Sequence, residues 1–264
     1  MSRYDAMFDR LAERGECAFG AFAMLGDPDL EASAAILDAL VEGGADMLEV
    51  GIPFSDPVAD GPVIQAAAVR ALRGGTRTAD CFRILGEFRR RHPQVPVGIL
   101  TYANLVVARG REAFYRAAAE AGVDSVLVAD VPMTEAEPFL SAAREAGVAP
   151  VLIAAPNTPP STLERIARAG EGYTYCVARS GVTGADREVK FEAEVIAALR
   201  ALGAPPCVLG FGIARPEHVR LACRAGAAGV ISGSAIVSLI ASNPGGGAAA
   251  VRDFVREMKA ATRA

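Results

Sequence analysis

Two carboxylates eleven residues apart, Glu49 and Asp60, stand in unlike settings within the stretch LEVGIPFSDPVADGP, residues Leu48–Pro62. Glu49 lies among Met47, Leu48, Val50 and Ile52, the profile of a buried strand. Taking an ionisable group out of water is costly and disfavours its charged form. Burial therefore moves a glutamate from its reference pKa of ~4.3 toward neutrality, where one group both gives and takes a proton. Asp60 follows Pro53 and Pro57 on a polar loop and more easily stays ionised. Two carboxyls in contrasting surroundings suit two roles, an acid–base and a fixed negative charge. An ion pair inside the fold also accounts for a buried Glu49, and a turn cap before Gly61-Pro62 for Asp60. Asp27 and Asp56 read as turn-formers. Tyr102 and Tyr175 read as core aromatics with a polar tip.

A second constellation is rich in glycine. Gly184, Gly210, Gly212, Gly233 and Ser234 fall in three successive loops of the C-terminal half. Glycine lets backbone N–H groups come close to an anion, and Ser234 stands where a short helix starts, the end that carries partial positive charge. Phosphate binding fits this pattern; tight turns alone are the competing reading.

Other chemistries lack their parts. The only lysines are Lys190 and Lys259, neither in a strand, which argues against a Schiff-base or lysine-anchored pyridoxal site. His92 and His218 read as surface residues, leaving a transition-metal site without donors. No G-x-S-x-G is present. The five cysteines form no C-x-x-C and read as reduced, buried thiols.

These residues need elements to hold them. GGADMLEVG, AGVDSVLVAD, AGEGYTYCVA and AGAAGVISGS share one grammar: a helix stops at glycine, small residues follow, and a short apolar strand begins. The strands are continuous apolar runs, as in a parallel sheet covered on both faces. Eight are expected, near 18–25, 46–51, 95–101, 124–129, 149–154, 172–178, 206–211 and 228–232. Helices are expected between them, near 30–43, 62–73 and on to 91, 111–121, 134–146, 160–169, 191–202 and 215–225, with a last pair over 234–262. The 264 residues then form a single α/β domain, 1–264: a closed (β/α)8 barrel of the TIM type, with an extra N-terminal helix and a short helix after strand 8. An open doubly wound sheet is the alternative, but no G-x-G-x-x-G follows the first strand. In such a barrel the functional groups sit where strands end, and phosphate commonly binds at the loops after strands 7 and 8.

The net charge of −4 and scattered basic residues argue against nucleic acid as a partner. The uncharged run Ala225–Val251 is interrupted by glycine and serine, short of the ~20 apolar residues a membrane span needs. The N-terminal MSRYDAMFDRLAERGE is an amphipathic helix without the apolar segment of a signal peptide, so a cytoplasmic location is expected.

Seven stretches bear a resemblance that covers essentially the whole chain: LGDPD, LEVGIPFSDPVADGPVIQ, YANLV, GVDSVLVADVP, GYTYCVARSGVTG, GFGIARPEHV and AGAAGVISGSAIV. The chain resembles the tryptophan synthase alpha chain family. The resemblance implies cofactor-free retro-aldol cleavage of indole-3-glycerol phosphate to indole and glyceraldehyde 3-phosphate. It implies that Glu49 is the general acid/base, that Asp60 holds the ring N–H, and that Tyr175 and Thr183 stand near the reacting centre. Phe22, Leu100, Leu127, Ala129, Ile153, Phe211 and Ile231 match the flat pocket, and Gly184, Gly212, Gly233 and Ser234 the phosphate cradle. No metal is implied. The partner implied is a beta chain carrying pyridoxal phosphate, in an alpha2-beta2 heterotetramer, to which indole passes for L-tryptophan synthesis. The loop Arg179–Arg187, with small residues and then charges, resembles a mobile lid.

Overall fold

The computed structural model describes residues 1–177, 185–210, 212–243, 245 and 247–263, with the backbone alone over 185–192. The first half runs α1 (Arg3–Glu13), β1 (Ala18–Met24), α2 (Leu30–Glu42), β2 (Met47–Gly51), α3 (Pro62–Arg73), α4 (Thr78–Arg91), β3 (Val97–Thr101), α5 (Ala103–Val107) and α6 (Arg111–Glu120). There follow β4 (Ser125–Val128), α7 (Glu137–Glu145), β5 (Ala149–Pro150), β6 (Leu152–Ala154), α8 (Pro160–Ala169) and β7 (Thr174–Val177). The chain closes with α9 (Ala185–Ala201), β8 (Cys207–Gly210), α10 (Pro216–Arg224), β9 (Gly229–Ser232), α11 (Ser234–Ser242) and α12 (Gly247–Ala260).

All strands pair in parallel, in the order β5-β4-β3-β2-β1-β9-β8-β7-β6. The two ends of that order are consecutive pieces of one stretch of chain, so the sheet comes round on itself as a (β/α)8 barrel with eight staves. The expected fifth strand is therefore two short ones. Pro150 has no N–H to donate, and Val151 donates to Val126 O at 3.1 Å while Leu152 begins the pairing with β7. Three smaller departures concern helices, the first being α9, which begins at Ala185 instead of near 191 and so takes in the last residues of the loop expected as a lid. The five-residue α5 is too short for a periodic signal, and α7 begins at Glu137 because 133–135 make a turn.

Alternate strand residues separate two apolar layers, as the two-residue strand period requires. Leu48, Val50, Val126, Cys176, Leu209 and Val230 face outward and join the helices in one cluster. Met47, Phe22, Leu127, Tyr175, Val208 and Ile231 face inward and form a second. The inner cluster also takes Tyr4, Met7 and Leu11 from α1, which plugs the end of the barrel where strands begin. A capping box starts that helix: the Ser2 hydroxyl accepts the Asp5 N–H, and the Asp5 carboxylate accepts the Ser2 N–H. Asp124 ties it down, accepting from Arg3 Nη1 at 2.8 Å and Arg89 Nη2 at 2.6 Å. Lys259 lies at the same end, with Glu16 at 3.1 Å and Asp46 at 2.9 Å.

Among the described residues no helix is long and apolar enough to cross a membrane. His92 bonds Asp38 at 2.8 Å and packs on Phe88, and His218 Nδ1 accepts the Ala214 N–H. Cys81, Cys176 and Cys207 are buried, Cys17 and Cys223 are half-buried, and none of the five is in a disulfide.

Candidate active site

Where the strands end, the barrel opens into a cavity of about 310 Å³. Glu49, the inward residue in the middle of β2, reaches it from the barrel interior. Asp60 reaches the same cavity from the loop between β2 and α3. That loop is braced locally: Val58 N–H bonds Asp56 O, Asp60 N–H bonds Pro57 O, and Gln65 Nε2 donates to Asp60 O at 2.8 Å. Pro62 at the first turn of α3 presets the helix direction, and Gly61 to Ile64 complete this wall.

Glu49 is 2% exposed. Desolvation raises its pKa from 4.5 to about 7, against the lowering effect of a hydrogen bond from the Tyr173 hydroxyl to Oε1 at 2.8 Å; the nearby Asp60 charge adds to the rise. No ion pair forms on Glu49 among the described residues; a neutral phenol is its partner. Asp60 is half-buried rather than solvated, as its loop position had suggested. Desolvation raises its pKa, and the neighbouring Tyr102 hydroxyl acts the other way. Tyr102 stacks on Phe54 at 5.4 Å, and its buried hydroxyl stands near Asp60 without reaching hydrogen-bond geometry. Tyr175, 5% exposed, lines the cavity beside both acids, and burial pushes its phenol pKa well up. Its ring lies over Gly210, where a side chain on that strand would collide with it.

The far wall is the N-terminus of α11. Gly233 is the N-cap residue, no side chain among the described residues caps it, and Gly233 and Ser234 both line the cavity, so a helix end of partial positive charge borders it. Gly212 adopts a positive φ of 74°, open to glycine without strain, and joins this wall. Ser232, fully buried, donates to Ile213 O at 2.6 Å and so ties the end of β9 to the loop carrying Gly212.

Of the residues the sequence singles out, Glu49, Asp60, Tyr175, Phe22, Leu100, Ile231, Gly212, Gly233 and Ser234 line this one cavity. Leu127, Ala129 and Ile153 belong to the surrounding inner cluster instead of the cavity wall. Thr183, Gly184 and Phe211 lie outside the described residues, as does the expected lid as far as Gly184. Asp27 closes a turn, its N–H reaching Met24 O at 3.3 Å, and its buried carboxylate also accepts two hydrogen bonds from Arg70, at 2.7 and 2.8 Å. Asp56 does sit in a turn, and Asp130 accepts the Ala103 N–H that opens α5. Tyr173 was missed. It stands two residues before Tyr175, and the strand period alone places both on the inner face. Among the described residues no group of three or more His, Cys, Asp or Glu side chains is arranged to hold a metal ion.

Comparison with known proteins gives a consistent picture. The family model "Tryptophan synthase alpha chain" matches residues 8–263. The tryptophan synthase alpha chain of Shewanella oneidensis is 52% identical over 265 residues, 99% of this chain and 95% of that one. The Aeromonas hydrophila alpha chain is 52% identical over 266 residues, covering 99% of each. Among solved structures, Mycobacterium tuberculosis tryptophan synthase superposes with a TM-score of 0.90 at 31% identity, covering 100% of this chain and 99% of that one. The Legionella pneumophila tryptophan synthase subunit alpha gives 0.90 at 29% identity, with 99% and 98% covered.

Proposed function

The chain belongs to the tryptophan synthase alpha chain family, and from that premise we infer that it is a carbon–carbon lyase cleaving indole-3-glycerol phosphate to indole and glyceraldehyde 3-phosphate. The observation that carries the assignment of roles is that Glu49 and Asp60 share one largely apolar cavity whose other end is an uncapped helix N-terminus.

A substrate with a flat bicyclic ring and a phosphate tail suits that shape. The phosphate lies on the N–H groups of Gly233 and Ser234 with Gly212 beside them, which fixes the tail and thereby the scissile bond. The ring lies between Phe22, Leu100 and Ile231. Asp60 accepts the ring N–H and offsets the positive charge that grows on nitrogen. With a pKa of about 7, Glu49 is half-protonated near neutrality. It gives its proton to the ring carbon that bears the glycerol chain. The bond to the chain then breaks, its electron pair returning to the ring to restore aromatic indole, while the chain's adjacent hydroxyl surrenders its proton to the Glu49 carboxylate and becomes the aldehyde. The proton count closes, and Glu49 ends as it began. The chain itself contributes no cofactor to this sequence of steps.

The partner in this reading is a pyridoxal phosphate-bearing beta chain, in an alpha2-beta2 assembly in the cytoplasm, to which indole passes. The stiff loop carrying Asp60 supports it: Val58 on that loop is 80% exposed, an apolar side chain held out beside the mouth of the site. Indole release from indole-3-glycerol phosphate by wild type, Glu49→Gln and Asp60→Asn, each with and without a beta chain, tests the whole. Both variants lose at least two orders of magnitude in turnover and wild type accelerates with the partner. Full activity in Glu49→Gln refutes the acid–base role, and an unchanged wild-type rate with the beta chain refutes the partnership.

A further inference from the structure

Glu49 depends on one phenol, and that phenol has its own support. Tyr173 precedes β7, and its ring meets the ring of Tyr4 with centroids 5.4 Å apart, inclined at 59°. Tyr4 belongs to α1, on the far side of the barrel floor from the cavity, and does not line it. Its hydroxyl shares a 2.8 Å hydrogen bond with Ser125 Oγ on β4. Tyr4 also covers Gly172, where an added Cβ meets Tyr4 Cδ2 at 3.2 Å, so the backbone just before Tyr173 is held by the same ring. The reason three hydroxyls gather here is a missing side chain. Gly98 on β3 pairs with Glu49 on one side and Ser125 on the other. A Cβ there stands 2.6 Å from Ser125 Oγ, 3.1 Å from the Tyr4 hydroxyl and 3.7 Å from the Tyr173 hydroxyl. Tyr4, Ser125 and Tyr173 are each 1% exposed, so water does not replace a lost partner.

We propose that Tyr4 is a positioning residue for the lyase reaction: anchored at its hydroxyl by Ser125, its ring holds Tyr173 so that the Tyr173 hydroxyl meets Glu49. The proposal rests on Glu49 being the acid–base group. The titratable groups facing Glu49 among the described residues are Asp60 from the loop after β2, Tyr173 and Tyr175 from the β7 segment, and Tyr4 from α1. Among the described residues only the Tyr173 hydrogen bond lowers its pKa, so loosening that bond moves Glu49 upward.

The test is a carbon-13 NMR titration of the Glu49 carboxyl in the full, unliganded chain, its resonance assigned by loss in Glu49→Gln. Tyr4→Phe and Ser125→Ala each cut the same anchor while leaving the aromatic rings in place. Each raises the Glu49 midpoint by about half a unit or more, the scale of a weakened hydrogen bond to a charged acceptor. The double variant shifts no further than either single one, because the two changes cut one link. The pH optimum of kcat moves upward in parallel with KM unchanged, since neither residue touches the cavity. Should Tyr4→Phe not fold, Ser125→Ala against wild type still decides the matter. Midpoints equal to wild type overturn the proposal, and so do shifts that add in the double variant. A wild-type chain that releases no indole overturns the lyase reading, and the titration still reports on Tyr4 separately.

Discussion

Replacing Glu49 with glutamine removes the acid–base group and, above neutral pH, makes the protein more stable. In the folded chain Glu49 is 2% exposed and holds its proton up to about pH 7; in the unfolded chain it ionises near 4.5. Below pH 4.5 both states are protonated and the carboxyl behaves as a neutral group. As pH rises, the unfolded chain gains from ionisation while the folded chain does not, until pH passes 7 and the folded group ionises at a cost. The stability present at low pH is thus lost across the window from about 4.5 to about 7. At ~1.36 kcal/mol per pH unit, a rise from 4.5 to about 7 amounts to about 3 kcal/mol. Glutamine keeps an oxygen for the Tyr173 hydroxyl and never ionises, so it escapes this loss. For a domain of this size, about 3 kcal/mol corresponds to a melting midpoint raised by on the order of 6–12 °C. Urea unfolding of wild type and Glu49→Gln from pH 5 to pH 9 reads the difference directly, because every other titrating group is common to both. The gap opens between pH 5 and pH 8 and is then level. A gap that stays constant from pH 5 to pH 9 refutes the buried, proton-holding Glu49 on which the reasoning depends.

Three further outcomes follow from the geometry. Gly210→Ala drives a methyl group into the Tyr175 ring; overpacking of this kind costs ~1–3 kcal/mol, and KM for the substrate rises because the ring moves into the cavity, as denaturant curves and steady-state kinetics would register. Arg70→Ala leaves the fully buried Asp27 carboxylate without its two-pronged partner; since Arg70 itself is partly solvated, a loss of about 2–3 kcal/mol in chemical denaturation is expected. Ser234→Asp puts a negative charge at the end of α11 that faces the cavity, raising KM by about tenfold or more while kcat changes little; an unchanged KM places the phosphate elsewhere.

The staves of the barrel were legible because each is a continuous apolar run introduced by a glycine stop, a signal carried by neighbours in sequence. The break at Val151 was not, since it arises from which carbonyl a residue after Pro150 meets across the sheet. Glu49 announced itself by a cost, a carboxyl among aliphatics, that any fold must answer. Its answer, Tyr173, was hidden: an aromatic on a strand reads as core, and only three-dimensional pairing shows its hydroxyl spent on a carboxylate. Asp27 was legible only in part, for the converse reason. Aspartate before proline is a common turn residue, and its partner Arg70 comes 43 positions later on another element. Tyr4 lies further still from the site, and the amphipathic pattern of α1 fixes which face is apolar without saying that the face seals a barrel.

The wall of the barrel is one residue thick, and that has a consequence for how the sequence is free to drift. Neighbours along a stave answer to different constituencies: Glu49 and Tyr175 to the chemistry within, Leu48, Val50 and Cys176 to the belt of helices without. Tolerance to substitution along β2 and β7 should accordingly beat with a two-residue rhythm. At the outward beats, losses appear as poor folding with native specificity in whatever survives; at the inward beats, well-folded protein emerges with altered catalysis.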